Sequence, residues 1–196
     1  VYDYSGNKND GTIYGATWVD GKFGKALSFN GVDDYVSVPD SPSLNPSTIS
    51  IEAWIYPTVA SSQSYIVKNR DSVQNRGYIL SVTSNGKIWL WIAGGKDRYS
   101  VNSIPLNSWS HVVVIIERVN DTLSNYAMFI NGSLDSSGTI DFGLTPSPEI
   151  LGIGDSWWGA YKWQGLIDEV RIYNRALSEE EIQFLYQEGL KRLQNS

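Results

Sequence analysis

Trp163-Gln-Gly-Leu-Ile-Asp-Glu-Val-Arg-Ile-Tyr-Asn-Arg-Ala-Leu-Ser178 carries one element running directly into another. Leu166, Val170 and Ile172 alternate with Ile167, Arg171 and Tyr173, the period of a strand in a sheet covered on at least one face. Asp168 interrupts that parity. A carboxylate flanked by Ile167 and Val170 needs a hydrogen bond, an opposite charge or a metal, unless it is a strand-end acid facing water. Ser178-Glu-Glu-Glu181 is a capping box, in which the Ser hydroxyl takes the third helical amide and Glu181 reaches back. Leu177 and Ile182 flank it at the spacing of a hydrophobic staple, and the acidic first turn suits the helix dipole. Ile182, Leu185 and Tyr186 form an apolar stripe, with Lys191 and Arg192 near the end, so a short C-terminal helix is expected.

The rest of the chain reads as strands and turns. With 196 residues, seven prolines and eighteen glycines, it fits one domain of sandwich size. Twelve tyrosines and eight tryptophans suit strands and binding surfaces. Cysteine is absent, which removes disulfides and thiol chemistry but leaves secretion open, because a core this large needs no staples. A net charge of −6 argues against nucleic acid and anionic membrane surfaces as partners. The longest wholly aliphatic run, Val112 to Ile116, is far too short to span a bilayer. The chain begins at Val1-Tyr2-Asp3 without a signal peptide, so residues 1–196 read as a single domain excised from a longer protein and tethered to its other domains.

Asp3 to Gly11 is dense in side-chain oxygens and glycine, which suits a self-bonded turn or a site for a hard cation. Leu27-Ser-Phe29 and Tyr35-Val-Ser-Val38 read as short strands around Asn30-Gly31. Ile49, Ile51, Ala53 and Ile55 alternate with Ser50, Glu52, Trp54 and Tyr56 in a strand that Pro57 ends. Ala60 to Asn75 is polar and reads as irregular. Tyr78, Leu80 and Val82 precede the hairpin residues Asn85-Gly86, and Ile88, Leu90 and Ile92 follow with Trp89 and Trp91 on the opposite parity. Trp109 to Ile116 is a strand covered on both faces, and Tyr126 to Ile130 turns at Asn131-Gly132 toward a return strand near Thr139 to Phe142. Asp155 to Trp163 is a Gly-containing loop with three tryptophans and a tyrosine. The pattern predicts an all-β, two-sheet antiparallel jelly-roll sandwich with a short C-terminal helix.

Ser5-Gly6-Asn7 with Asn9-Asp10-Gly11, Gly24-Lys-Ala-Leu-Ser-Phe29, Asp34-Tyr-Val36, Ile51-Glu-Ala-Trp54, Trp109-Ser-His-Val112, Ile130-Asn-Gly132 and the Ile167 to Ser178 stretch occur in this order. In that order the chain resembles the laminin-G-like, concanavalin A-like jelly-roll family nearly end to end. The resemblance implies an accessory module of a secreted or cell-surface protein, associated with sugar or protein binding and a bound calcium. It further implies that the first and last strands lie close together, bringing the Asp3–Asn9 loop near Asp168. On that expectation Asp3 and Asp168 are side-chain ligands of a structural Ca²⁺, with Asn7 and the carbonyl of Gly31 beside them.

The aromatics are the second group of candidates. The face holding Trp89 and Trp91 is either a second buried layer or an open surface on which sugar rings stack, with Lys96, Asp97, Arg98 and Tyr99 beside it. Trp157, Trp158, Tyr161 and Trp163 are hard to bury together, so that loop is a candidate contact site, with Arg70, Asn75 and Arg76 in a loop able to approach its rim. Catalysis has little support: His111 sits in an apolar strand, and no strand carries the closely spaced acids a retaining sugar hydrolase needs. The ligand-binding candidates are therefore Trp89, Trp91, Arg98, Trp157, Trp158, Tyr161 and Arg76. The expected function is non-catalytic glycan binding outside the cell or at its surface, or docking of a protein partner through the same tryptophan loop.

Overall fold

The strand expected at the end of the chain is β14 (Gln164–Tyr173), and it runs inside a seven-stranded sheet between β3 (Lys25–Asn30) and β5 (Thr48–Pro57). The computed structural model describes residues 1–61, 63–155 and 161–191. Outward from β5 follow β10 (Ser110–Asn120), β11 (Leu123–Ile130) and β12 (Ser133–Ile140), and β2 (Thr17–Asp20) closes the other edge. The first sheet has the order β1 (Thr12–Tyr14), β4 (Tyr35–Val38), β13 (Leu151–Ile153), β6 (Gln63–Asp71), β7 (Arg76–Thr83), β8 (Lys87–Ile92), β9 (Lys96–Ser103). The pairings are antiparallel throughout. The inner faces meet in a core that includes Ile51, Ile55, Leu80, Leu90, Val114 and Trp163. Each such side chain, fully buried, contributes about 1.5–3 kcal/mol of transfer free energy.

Two expectations about order along the chain fail. Residues 63–71 are not irregular but form β6, a central strand. A bulge shifts its register between Tyr65 and Val67, so the two-residue period slips by one and the polar half of the strand no longer continues the apolar half. The first and last strands do not pair: β1 pairs β4 in one sheet, whereas β14 lies in the other. The return strand after Asn131-Gly132 also starts earlier than expected, at Ser133.

At one side of the sandwich the two edge strands are stitched together. The Asp135 carboxylate of β12 accepts the amides of Val101 and Asn102 of β9 at 2.5 and 2.9 Å. Arg98 Nη2 donates to the Thr139 carbonyl at 2.7 Å.

The outer face of the second sheet is covered by α1 (Glu179–Lys191). Its capping box forms as the sequence predicts: Glu181 N donates to Ser178 Oγ at 3.2 Å and Ser178 N to Glu181 Oε2 at 2.8 Å. Arg175 adds a two-pronged bond to the same carboxylate and holds it down to about 2. Leu177 and Ile182 pack with Val113, Ile115 and Phe129, so the staple is also real. Farther along, Tyr186 stacks on Trp54 at 5.7 Å, and a Cβ on Gly189 would lie 2.6 Å from the Trp54 ring. Glycine at 189 is what lets the helix approach this closely.

Beside that helix lies a fully buried carboxylate. Glu52 Oε1 accepts from Arg171 Nη1 at 2.9 Å and lies 3.1 Å from His111 Nε2. Tyr173 OH donates to Oε2 at 2.8 Å. Burial alone would push this carboxyl up, but His111, Arg171 and Tyr173 outweigh it and hold it below the ordinary range. His111 Nδ1 is buried and has no hydrogen-bond partner among the described residues. Glu52 thus spends its polar capacity on holding three strands together.

Candidate functional site

The outer face of the first sheet is the surface on which chemistry-bearing side chains gather. Directly opposed residues in a sheet share a face. One row crosses all seven strands: Thr12, Ser37, Gly152, Lys68, Ile79, Trp91, Asp97. A second row runs Tyr65, Ser81, Trp89, Tyr99. Ile79, Trp89, Trp91 and Tyr65 pack into a cluster of their own, separate from the core between the sheets, and Tyr161 packs against it.

The rings are ordered into two stacks. Tyr161 lies 5.4 Å from Tyr65, which lies 6.3 Å from Trp89. On the far strands Tyr14 stacks on Tyr35 at 4.5 Å. Arg70 sits 4.2 Å above Trp91, and Trp89 Nε1 donates to Asp97 Oδ1 at 3.0 Å. Trp89 and Trp91 are only 7% and 6% exposed, so this face is the buried second layer rather than a bare indole platform. The exposed rings are instead those at its margins, Tyr14 at 46% and Tyr99 at 51%.

Between the stacks lie charges. Lys162 Nζ is 3.0 Å from Asp155 Oδ1, with both side chains about one-tenth exposed, and it also lies 4.4 Å over the Tyr35 ring. Lys68 is 4% exposed. Its burial pushes the ammonium down to about 8, Asp155 and Glu149 pulling it back up while Arg70 and Lys162 push it further down. Opposite Lys68 stands Gly152, where a Cβ would come within 2.8 Å of the Asp155 Cβ. A glycine there lets the Asp155 side chain lie against the strand. The Tyr65 hydroxyl is raised by burial to about 12 and stays a neutral donor at any ordinary pH.

The sequence-based candidates are distributed differently from expectation. Trp89, Trp91 and Tyr161 come together. Trp157 and Trp158 lie outside the described residues. Arg98 turns away: it pairs with the core residue Leu90, lies 5.6 Å over Tyr126 and bonds the opposite sheet. Arg76 is the half-buried first residue of β7, opposite Asp71. Lys68, Lys162, Asp155, Tyr14 and Tyr35 were not singled out. The signal for Lys68 was present as alternation in β6 but was masked by the bulge; for Asp155 and Lys162 no sequence signal exists, because their pairing depends on a loop returning to Tyr35.

The four expected calcium ligands occupy separate places. The Asp3 carboxylate accepts Ser5 N, Ser5 Oγ and Asn9 N at 2.8–2.9 Å, and Asn7 Nδ2 donates to Ser5 Oγ at 2.9 Å, which is a self-bonded turn. Asp168 Oδ2 accepts Phe23 N at 2.9 Å across the second sheet from Trp54, and burial pushes its carboxyl up. Gly31 packs against Gln164, four residues before Asp168 on the same strand and so roughly 13 Å away. β1, which follows the Asp3 turn, and β14, which carries Asp168, belong to different sheets. The Asp3 and Asp168 carboxylates are thus each engaged by backbone amides of different segments. Among the described residues, no group of three or more acids and histidines is placed to hold a metal.

The family model described as the concanavalin A-like lectin/glucanases superfamily matches residues 30–183. The chain belongs to that superfamily. No curated protein matches it in sequence. Domain 4 of the extracellular arabinanase AbnA from Geobacillus stearothermophilus, solved with arabinotriose, is 25% identical with a TM-score of 0.75, over 94% of this chain and 92% of that one. The binding domain of Paraclostridial Mosquitocidal Protein 1 is 22% identical with a TM-score of 0.75, over 95% of this chain and 49% of that one. The binding domain of botulinum neurotoxin DC, solved with SialylT, is 16% identical with a TM-score of 0.71, over 96% of this chain and 48% of that one. This chain therefore spans about half of each toxin binding domain. The superfamily resemblance read from the sequence and the two-sheet sandwich are both borne out.

Proposed function

We propose that this chain is a non-catalytic glycan-binding module of a secreted or cell-surface protein, whose ligand lies across the outer face of the first sheet. The observation that carries the reading is the exposed margin of that face: Tyr14 is 46% exposed and stacks on Tyr35, beside which Lys162 and Asp155 supply polar groups. The arabinotriose complex of the AbnA domain, a match over nearly all of both chains, supports the reading. A hydrolytic role has no comparable support, since Glu52 and His111 are sealed and hydrogen-bonded to one another.

A panel of plant and animal oligosaccharides, measured by calorimetry, tests this. Tyr14→Ala and Tyr35→Ala are each expected to weaken binding about tenfold, with the circular dichroism of the wild type retained. Unaltered affinity in both variants would move the site off this face. If no glycan in the panel binds, the module docks a protein instead.

The scattered ligand set carries a prediction about calcium. Because Asp3 and Asp168 are satisfied by backbone amides at separate places, adding a chelator is expected to leave Tm unchanged. A fall of several degrees, reversed by CaCl₂, would show that an ion is held by other oxygens.

A further inference from the structure

We infer that Asn120 is an acceptor for an N-linked oligosaccharide and that Asn131, which carries the same signature, is not. The inference goes beyond ligand binding and rests on the reading of an exported protein, since Asn-X-Ser/Thr is modified on exported chains. Two such triplets occur, Asn120-Asp-Thr122 and Asn131-Gly-Ser133, at opposite ends of β11 and so roughly 25 Å apart. Asn45-Pro-Ser47 is excluded by its proline. Asn120, Asp121 and Thr122 are all exposed and make the turn from β10 to β11. Thr122 N and Thr122 Oγ1 donate to Asn120 Oδ1 at 2.9 and 3.0 Å. A backbone amide can only donate, which settles which end of the carboxamide is oxygen. Among the described residues Asn120 Nδ2 has no hydrogen-bond partner. The backbone of the turn is fastened separately: the Asp121 carbonyl accepts Gly143 N at 3.2 Å, and its carboxylate pairs with Arg118.

At Asn131 the corresponding groups are committed to the fold. His111 N donates to Asn131 Oδ1 at 2.9 Å, and Asn131 N donates to the His111 carbonyl at 2.8 Å. Gly132 is buried, and a Cβ there would lie 2.9 Å from the Tyr186 ring of α1. Ser133 is paired with Ile130 in the sheet. A transferase reads the carboxamide and the hydroxyl two residues later together, so at this end it would have to open β12 and lift the helix. At Asn120 both residues stand in an exposed turn. In the transfer, Asn120 Nδ2 forms a bond to C1 of an oligosaccharide carried on a lipid pyrophosphate. The bond from C1 to the phosphate oxygen breaks, its electron pair leaves with the lipid pyrophosphate, and the Nδ2 proton passes to a base of the transferase. Asn120 belongs to the second sheet, so the added saccharide leaves the outer face of the first sheet open to its own ligand.

Reacting the folded protein with a single-subunit oligosaccharyltransferase and a lipid-pyrophosphate-linked oligosaccharide is the test, and its result does not depend on export. The intact mass is expected to rise by one oligosaccharide, which peptide mapping places on Asn120. Asn120→Gln and Thr122→Ala are each expected to abolish the gain, whereas Ser133→Ala, which removes only the second triplet, keeps it. No gain in mass, with the enzyme active on a short acceptor peptide, would overturn the inference. So would a saccharide on Asn131, alone or beside one on Asn120, or a gain that survives Thr122→Ala. Should Thr122→Ala not fold, the mapping of the wild type and the mass of Asn120→Gln still decide.

Discussion

Glu52→Ala is expected to destabilise the protein by about 3–5 kcal/mol, or roughly 10 °C or more in Tm, without touching the proposed ligand face. The carboxylate binds groups from two neighbouring strands, His111 on β10 with Arg171 and Tyr173 on β14. Removing it leaves the buried His111 Nε2 and the Tyr173 hydroxyl without their acceptor and takes one of two carboxylates from Arg171, which keeps Glu169, and each lost bond to a charged group weighs more than an ordinary one. Chemical denaturation gives the number directly. A loss below about 1 kcal/mol would mean that water replaces the carboxylate.

The same residue sets a pH dependence whose sign is fixed. A carboxyl held below its unfolded value contributes stability that is fully present above the unfolded pKa of about 4.3 and is lost as pH falls through the folded value. Subtracting the acid-unfolding curve of Glu52→Gln from that of the wild type should therefore show a stability difference at pH 6 that shrinks on acidification below about pH 4. A difference that grows with acid would contradict the assignment.

Gly77→Ala is the second large effect expected, and it acts on the ligand face. Gly77 has φ +88°, and a Cβ there would lie 1.9 Å from the carbonyl oxygen of Asn69. Neither can be relieved by rotating a side chain, since the neighbour is backbone. Left-handed strain and the forced parting of β6 from β7 together should cost about 3 kcal/mol or more. Gly77 stands directly opposite Arg70, so the separation also moves the guanidinium off Trp91. Both Tm and glycan affinity should fall, in contrast to Glu52→Ala, in which Tm falls and affinity per folded molecule holds. A Gly77→Ala protein with wild-type stability would show that the strands yield at that point without cost.

The contrast between these residues explains how much the sequence disclosed. Local chemistry was legible: Ser178 with Glu181 specified its helix start without help from the rest of the chain, and Asn85-Gly86 specified its hairpin. Regular alternation was legible too, as in β5, where Ile51, Ala53 and Ile55 face the core while Glu52 and Trp54 face outward. A single extra residue hid β6, because one bulge reverses every later assignment of inside and outside. The placement of the expected calcium ligands was not legible for a different reason. Proximity of Asp3 to Asp168 is a matter of which sheet each terminal strand joins, and side-chain periodicity is the same in either sheet. The ion pair of Asp155 with Lys162 likewise belongs to a loop's return path, which no period encodes.

The stitched side of the sandwich has a bearing on life in crowded surroundings. A strand at the margin of a sheet is ordinarily a template on which another chain can align its own backbone. Here the Asp135 carboxylate already occupies two backbone amides of β9, and placing a charge on that border makes a second strand's approach costly. Copies of the chain held close together should accordingly remain separate along this border rather than pair edge to edge.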